Sequence, residues 1–296
     1  PLRLVGSEMC IRDSLTAMAG RLGIAIDLIK FDEITKNLPM IVDLKPSGTG
    51  YMEDLYKAGG SQRIFYELKD FLYLDAKSVN GTTLGEEIKN SAKWTQNIIT
   101  DKSNPVFNAG SIAVLKGTLA PNSAIIKQSA ATESLLIHEG RAVVFEGLED
   151  LANRIDRDDL DVTKDDVLVL KSIGPKGGPG MPEAGLIPIP KKLAKQGVKD
   201  MVRISDGRMS GTASGTIILH VTPESYENGP LAIVENGDLI KLDVPKRKID
   251  LMISEEEIAE RLLKRKELSI RRRGYNKIYM EHVTQADRGV DFDFLI

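Results

Sequence analysis

Cysteine is almost absent: Cys10 is the single thiol in 296 residues. One thiol forms no internal disulfide and no cysteine-rich metal site, so any iron–sulfur cluster would draw its ligands from outside this chain. Histidine is scarce as well, and His138, His220 and His282 show no HxH or HExxH spacing, so none receives a role. No run approaches the roughly 20 apolar residues needed to cross a bilayer. The first residues lack the basic, apolar and small-residue order of a signal peptide, and a soluble, cytoplasmic protein without a membrane partner is expected. Charge leans neither way: 40 Lys+Arg against 43 Asp+Glu give a net charge of -3. There is no basic surplus for nucleic acid and no acidic tail. What is present, 42% hydrophobic and 28% charged residues, is the composition of a globular chain with a substantial core, and the length suits two domains.

Residues 1–14, PLRLVGSEMCIRDS, show no clear period and read as a foreign or mistranslated end. From Leu15 the pattern is orderly. Leu15, Ala19 and Leu22 share a helical face, with Gly23 as a stop. Ser61 is placed to cap a helix running to Asp75, because Ile64, Phe65, Leu68, Phe71 and Leu72 recur at helical spacing. Thr83 and Glu86 form a capping box for a helix to about Ile99, and Lys45 to Gly50 is rich in turn residues.

After Asn104-Pro105 the pattern changes to short β-rich runs broken by turn residues. Nine runs are expected as strands: 111–116, 124–127, 141–146, 167–171, 201–204, 216–221, 231–234, 239–244 and 248–253. Helices are expected at Leu148 to Ile155 and Lys191 to Gln196, and hairpin turns at Asn236-Gly237 and Pro245 to Arg247. Ser254 and Glu257 open a last helix with Ile258, Leu262 and Leu263 inward and a Glu257–Arg261 pair. The fold class read here is an α/β N-terminal remnant (15–104) followed by a C-terminal β-barrel domain with a few helices (105–296).

Two segments could carry chemistry. GPKGGPGMPE at 174–183 packs four glycines and three prolines into ten residues, which neither helix nor regular strand accommodates. It is either an ornamented connection or a rigid holder presenting Glu183; its spacing fits neither a phosphate loop nor a dinucleotide fingerprint. SDGRMSGTASGT at 205–216 lies between two apolar runs and holds Ser210 beside Gly211. Hydroxyl-rich loops are usually turn formers, and no histidine or GxSxG elbow supports a Ser-His-Asp hydrolase. If Ser210 reacts, a nearby metal ion is the obvious means of lowering its pKa. The aspartates from Asp156 to Asp166 lack the glycine and glutamate of a calcium loop and read as a solvated acidic face. Arg271 to Arg273 reads as a surface or oligomer contact.

The pair GPKGGPGMPE and VRISDGRMSGTASGT (202–216) resembles the signatures of the dihydroxyacid and sugar-acid dehydratases, the family of dihydroxyacid dehydratase and phosphogluconate dehydratase. LKPSGTGYMEDLYKAGG (44–60), NPVFNAGSIAVLKGTLAPNSAIIKQSA (104–130) and the terminal RRRGYNKIYMEHVTQADRGVDFDFLI fit the same family, so the likeness covers nearly everything from Leu15 onward. GMPE, PIPKKLAKQGVKDMVRISD and DFDFL are most similar to the aldonate branch, with the dihydroxyacid dehydratase of branched-chain amino-acid synthesis as the alternative.

The resemblance implies a Mg²⁺- and iron–sulfur-dependent hydro-lyase that converts a sugar acid to a 2-keto-3-deoxy acid. It maps a magnesium ligand onto Glu183, the base onto Ser210 and weaker substrate donors onto Gly211 and Thr212. It implies a [2Fe–2S] cluster whose ligands, with the other magnesium ligands, precede Leu15 in relatives. The chain is then expected to be a C-terminal fragment, inactive alone, from a homo-oligomeric enzyme of carbohydrate-acid metabolism. A hydrolase using Ser210 without metal and a non-catalytic barrel module are the readings from other classes.

Overall fold

The structure, a computed structural model, describes residues 8–26, 28–89, 91, 96–210, 214–265 and 273–296, without the side chains of 8–11. Its contacts divide it into two compact units. One is Glu33–Ser111; the other joins the described residues up to Asp32 to Ile112–Ile296.

The second unit is built on eight strands: β1 (Ile112–Leu115), β2 (Ser123–Lys127), β3 (Ile137–Phe145), β4 (Val167–Leu170), β5 (Arg203–Ser205), β6 (Ile217–Thr222), β7 (Leu239–Asp243) and β8 (Lys248–Leu251). They run in the order β1-β2-β6-β5-β4-β3-β7-β8. The β6-β5-β4-β3 stretch is parallel and the outer pairs are antiparallel. β3 pairs with β7 along Ile137–Arg141 and with β4 along Ala142–Phe145, so one strand serves two neighbours and turns the sheet. The outer strands then meet: Lys116 N–H donates to Arg247 C=O at 3.0 Å and Ile249 N–H to Lys116 C=O at 3.2 Å. The result is the nearly closed barrel that the run of short strands predicts. Gly117 permits the closure, since a Cβ there would lie 2.0 Å from the Ile249 carbonyl oxygen.

Parallel strands covered on both faces need apolar residues at every position. VLVL of β4 shows the result, with Val167 and Val169 inside the barrel and Leu168 and Leu170 in an outer cluster. That outer cluster takes Leu151 of α6 (Leu148–Arg154) and Leu193 of α7 (Lys191–Ala194), both helices falling where the sequence puts them. Ser254 caps α8 (Glu255–Lys264) by accepting the Glu257 N–H at 3.1 Å, and Arg261 pairs with Glu257 at 2.6 Å. Leu263 corrects the expected inward face, being 88% exposed while Ile258 and Leu262 pack on the core.

The expected strand 231–234 is a 3₁₀ turn, Pro230–Ile233. Its apolar residues are buried as a strand's would be, but Pro230 starts a tight helical turn and Leu231 and Ile233 fill the barrel core as a plug. The Asn236-Gly237 turn consequently joins no hairpin. The Asn236 side chain accepts the Val144 N–H at 2.7 Å instead, and Gly237 N–H donates to Ala142. Pro245 to Arg247 does connect the antiparallel pair β7–β8.

Before the barrel lie α1 (Glu8–Arg21), α2 (Leu28–Lys36), α3 (Met52–Lys57), α4 (Gly60–Glu67) and α5 (Leu84–Ile88). α1 stops at Gly23, whose φ of 71° suits glycine. Leu22 on its predicted inward face is 76% exposed. The helix predicted over 61–75 starts one residue earlier and ends at Glu67, followed by a 3₁₀ turn at Lys69–Phe71. Ile64 and Leu72 still pack on the cluster of Ile41, Ala58, Leu68 and Ile99, whereas Phe71 is half exposed. Thr83 and Glu86 make the full capping box of α5; the predicted continuation toward Ile99 is corrected at 96–99, which are not helical and where Ile99 bridges Val42, while 90 and 92–95 lie outside the described residues. Near the C-terminus α9 (Tyr275–His282) precedes the final turns.

Candidate active site

Both signature segments emerge beside the carboxyl ends of parallel strands, the first after β4 and the second after β5. Each is pinned by a buried methionine. Met181, fully buried, precedes Pro182 and Glu183; Met209, 2% exposed, packs on Ile112, Ile125, Ile217 and Leu219 and immediately precedes Ser210. Glu183 is exposed at the loop surface and Ser210 is half-buried. Gly211 and Thr212 lie outside the described residues. The two loops are joined directly, because Gly185 N–H donates to the Arg208 C=O at 2.6 Å. That contact lies two residues from Glu183 on one side and two from Ser210 on the other.

The serine loop is fastened at both ends. At its start Gly207 N–H donates to Ser205 Oγ at 3.0 Å, and His220 N–H donates to Gly207 C=O at 3.1 Å. At its end the Asp200 carboxylate accepts from Thr216 N–H at 2.9 Å, Thr216 Oγ1 at 2.8 Å, Thr132 Oγ1 at 2.7 Å and Arg203 Nη2 at 2.7 Å. Burial works to raise the Asp200 pKa, but the hydroxyls of Thr132 and Thr216 and the Arg203 charge together hold it below the ordinary range.

The glycine-rich loop rests on two more carboxylates. Asp206 accepts from Ile173 N–H at 2.9 Å and Ser172 N–H at 3.2 Å. Glu224 accepts from Lys176 and Gly177 N–H at 2.9 Å each. Burial pushes both upward; Glu224 reaches about 7, with the neighbouring Asp206 charge as second cause. Gly174 is obligatory in this contact, since a Cβ would sit 2.9 Å from the Glu224 Cβ.

A cavity of about 480 Å³ lies beside the loops, lined by Met18, Arg21, Gly180, Met181, Arg208 and Tyr279 among others. Its volume suits a small ligand. Burial pushes the Tyr279 hydroxyl up, opposed by a hydrogen bond to the Gly180 backbone. A second cavity of about 470 Å³ is lined by Lys171, Arg261 and Arg265. There Lys171 pairs with Glu146 at 2.9 Å and Arg261 with Asp238 at 2.6 Å, so its charge is largely balanced within the fold.

The donor set tests the implied cofactors. Among the described residues no group of three or more His, Cys, Asp or Glu could hold a metal ion. Glu183 is a hard, exposed oxygen donor that fits one position of a Mg²⁺ site completed from elsewhere. An iron–sulfur cluster does not fit this chain, which has one cysteine.

The sequence marks out the two loops that carry Glu183 and Ser210 but gives no sign of Glu224, Gln285 or the two buried methionines. Glu224 stands in TPESYENG with no repeat or spacing to mark it; only its burial reveals it. The acidic stretch from Asp156 is solvated at Asp156 and Asp159, paired to Lys191 and Arg157, whereas Asp166 is buried, accepting the Thr163 N–H and pairing with Arg141. Arg271 and Arg272 lie outside the described residues. No helix among the described residues is long and apolar enough to cross a membrane.

Comparison with known proteins matches residues 97–290 to the C-terminal domain of dihydroxy-acid/6-phosphogluconate dehydratases and residues 14–87 to the N-terminal domain of the same family. The chain is 45% identical over 284 residues to the L-arabinonate dehydratase of Rhizobium leguminosarum, covering 95% of this chain and 49% of that protein. It is 43% identical over 292 residues to the L-arabonate dehydratase of Azospirillum brasilense, covering 95% and 50%. Identity to the dihydroxy-acid dehydratase of Carboxydothermus hydrogenoformans is 40% over 283 residues, covering 94% and 50%. The chain thus spans about half the length of the curated relatives it matches. It belongs to the dihydroxy-acid/6-phosphogluconate dehydratase family.

Proposed function

We propose that this chain supplies the carboxyl-terminal half of a cytoplasmic, homo-oligomeric hydro-lyase that dehydrates an aldonate to a 2-keto-3-deoxy acid. Residues 15–104 are then the end of its α/β domain and 105–296 its barrel domain. The observation that carries the reading is the Gly185–Arg208 hydrogen bond, which joins the loop of Glu183 to the loop of Ser210. A metal ligand and a base must serve one substrate, and this junction suits both to one cleft.

In this reading Ser210 Oγ takes the proton from C2, and the 3-hydroxyl, receiving that proton in turn, departs as water. The enol left behind loses its 2-hydroxyl proton, gains one at C3 and becomes the 2-keto-3-deoxy acid. Gly211 and Thr212 orient the acid group. Mg²⁺, with Glu183 as one ligand, supplies when bound the positive field that acidifies both the C2 proton and the serine hydroxyl. A [2Fe–2S] cluster, which the resemblance implies, would be held by residues outside this chain.

The 43–45% identity to arabinonate dehydratases favours an aldonate, while the 40% identity to a dihydroxy-acid dehydratase keeps a branched 2,3-dihydroxy acid as the second reading. A substrate panel on the full-length enzyme decides between them. Higher kcat/KM on pentonates or hexonates than on 2,3-dihydroxy-3-methyl acids is the expected result; the reverse order assigns the second reading.

A further inference from the structure

Asp206 and Glu224 take no part in the chemistry proposed above, yet their carboxylates receive the backbone that leads into and begins the glycine-rich loop, and Asp206 itself stands in the serine loop. Asp206 is fully buried and belongs to the serine loop, but its carboxylate receives N–H groups from elsewhere: Ile173 at 2.9 Å, Ser172 at 3.2 Å and Ser225 at 2.9 Å. Glu224 follows β6 and receives Lys176 N–H, Gly177 N–H and the Gln285 side-chain amide, the last at 2.6 Å. Asp206 lies against backbone N–H groups and the Ser225 side chain, Glu224 against backbone N–H groups and one amide, while the Lys176 ammonium turns to Glu227 at 2.5 Å. Buried carboxylates are ordinarily matched by cations; here they are matched by a loop. The close seating of Gly174 on Glu224 adds a steric contact to the same bracket.

We propose that Asp206 and Glu224 are positioning residues that lock the glycine-rich loop to the serine loop and so fix Glu183 relative to Ser210. The chemistry that this placement serves rests on the dehydratase reading; the mechanical coupling does not. An amide in place of either carboxylate turns an NH₂ toward the N–H donors, so that one of them loses its acceptor oxygen.

Amide hydrogen exchange on the 296-residue chain tests the coupling. Asp206→Asn should speed exchange about tenfold or more at Ser172, Ile173 and Ser225, and should loosen Gly207 to Ser210 in the same variant. Asp200→Asn, which frees only the far end of the serine loop, should leave 172–177 unchanged. If Asp206→Asn does not fold, Glu224→Gln carries the same test at Lys176 and Gly177. In the full-length enzyme Asp206→Asn should lower kcat about tenfold or more while KM moves by less than about threefold. Exchange that rises in one loop without the other, or loosened loops with unchanged kcat, overturns the proposal. Full turnover by Ser210→Ala would instead remove the base from the dehydratase reading while leaving the exchange result intact.

Discussion

Glu224 is the residue whose surroundings give the sharpest solution signature. Its pKa of about 7 lies above the ordinary 4.5, raised first by burial and then by Asp206. Tyr279 feels its charge, and the ammonium of neighbouring Lys176 is taken up by Glu227. Between the two values the closed loop binds a proton that an opened loop would release, so the closed form is favoured fully below about 4.5. That advantage is lost as pH rises toward 7 and then levels off. Protection of the Lys176 and Gly177 amides, corrected for intrinsic exchange, should therefore fall from pH 5 to pH 8, and Glu224→Gln should abolish the slope. A flat or rising profile in the unaltered chain would contradict the assignment of the raised pKa to Glu224. The segments that carry Ser210 and Glu183 stand out in the sequence because they are dense in glycine, proline and hydroxyls. Glu224 was not, because an isolated glutamate discloses nothing until the fold buries it.

At the scale of elements, the strands were legible wherever an apolar run was bounded by turns, and the one failure is instructive. Leu231–Val234 has a strand's composition, but burial of Leu231, Ile233 and Val234 is equally met by a 3₁₀ plug, and Pro230 decides for the plug. Helix ends were read well where a side chain caps them, as at Thr83 and Ser254, and poorly at Ser61, where Gly59 takes the capping position. Barrel closure depends on a contact that no periodicity reports, the approach of Gly117 to the Ile249 carbonyl. Gly117→Ala should destabilise the barrel by about 2 kcal/mol, read as a lower urea midpoint with unchanged m-value. An unaltered midpoint would mean that β1 and β8 separate without cost.

At the scale of the molecule, the barrel has its own core of Leu115, Ile126, Val144, Ile204, Ile218 and Ile249, whereas Glu33–Ser111 relies on a small cluster around Ile41 and Ile99. Limited proteolysis should cut within Glu33–Ser111 and leave a stable barrel fragment beginning near residue 112 with the segment up to Asp32 still bound to it. Survival of the smaller unit with loss of the barrel would reverse this ranking. One cysteine cannot hold a cluster, so the 296-residue chain should form no 2-keto-3-deoxy acid even with Mg²⁺ and cluster reconstitution. Product formation by the purified chain would refute the need for ligands from outside it. The central claim, that Ser210 is the base of a dehydration site assembled by these two loops, is tested most directly by the turnover of Ser210→Ala in the full-length enzyme on an aldonate. The account predicts a fall in kcat of about a hundredfold or more with KM nearly unchanged. Near-normal kcat with a raised KM would contradict it and make Ser210 a binding residue.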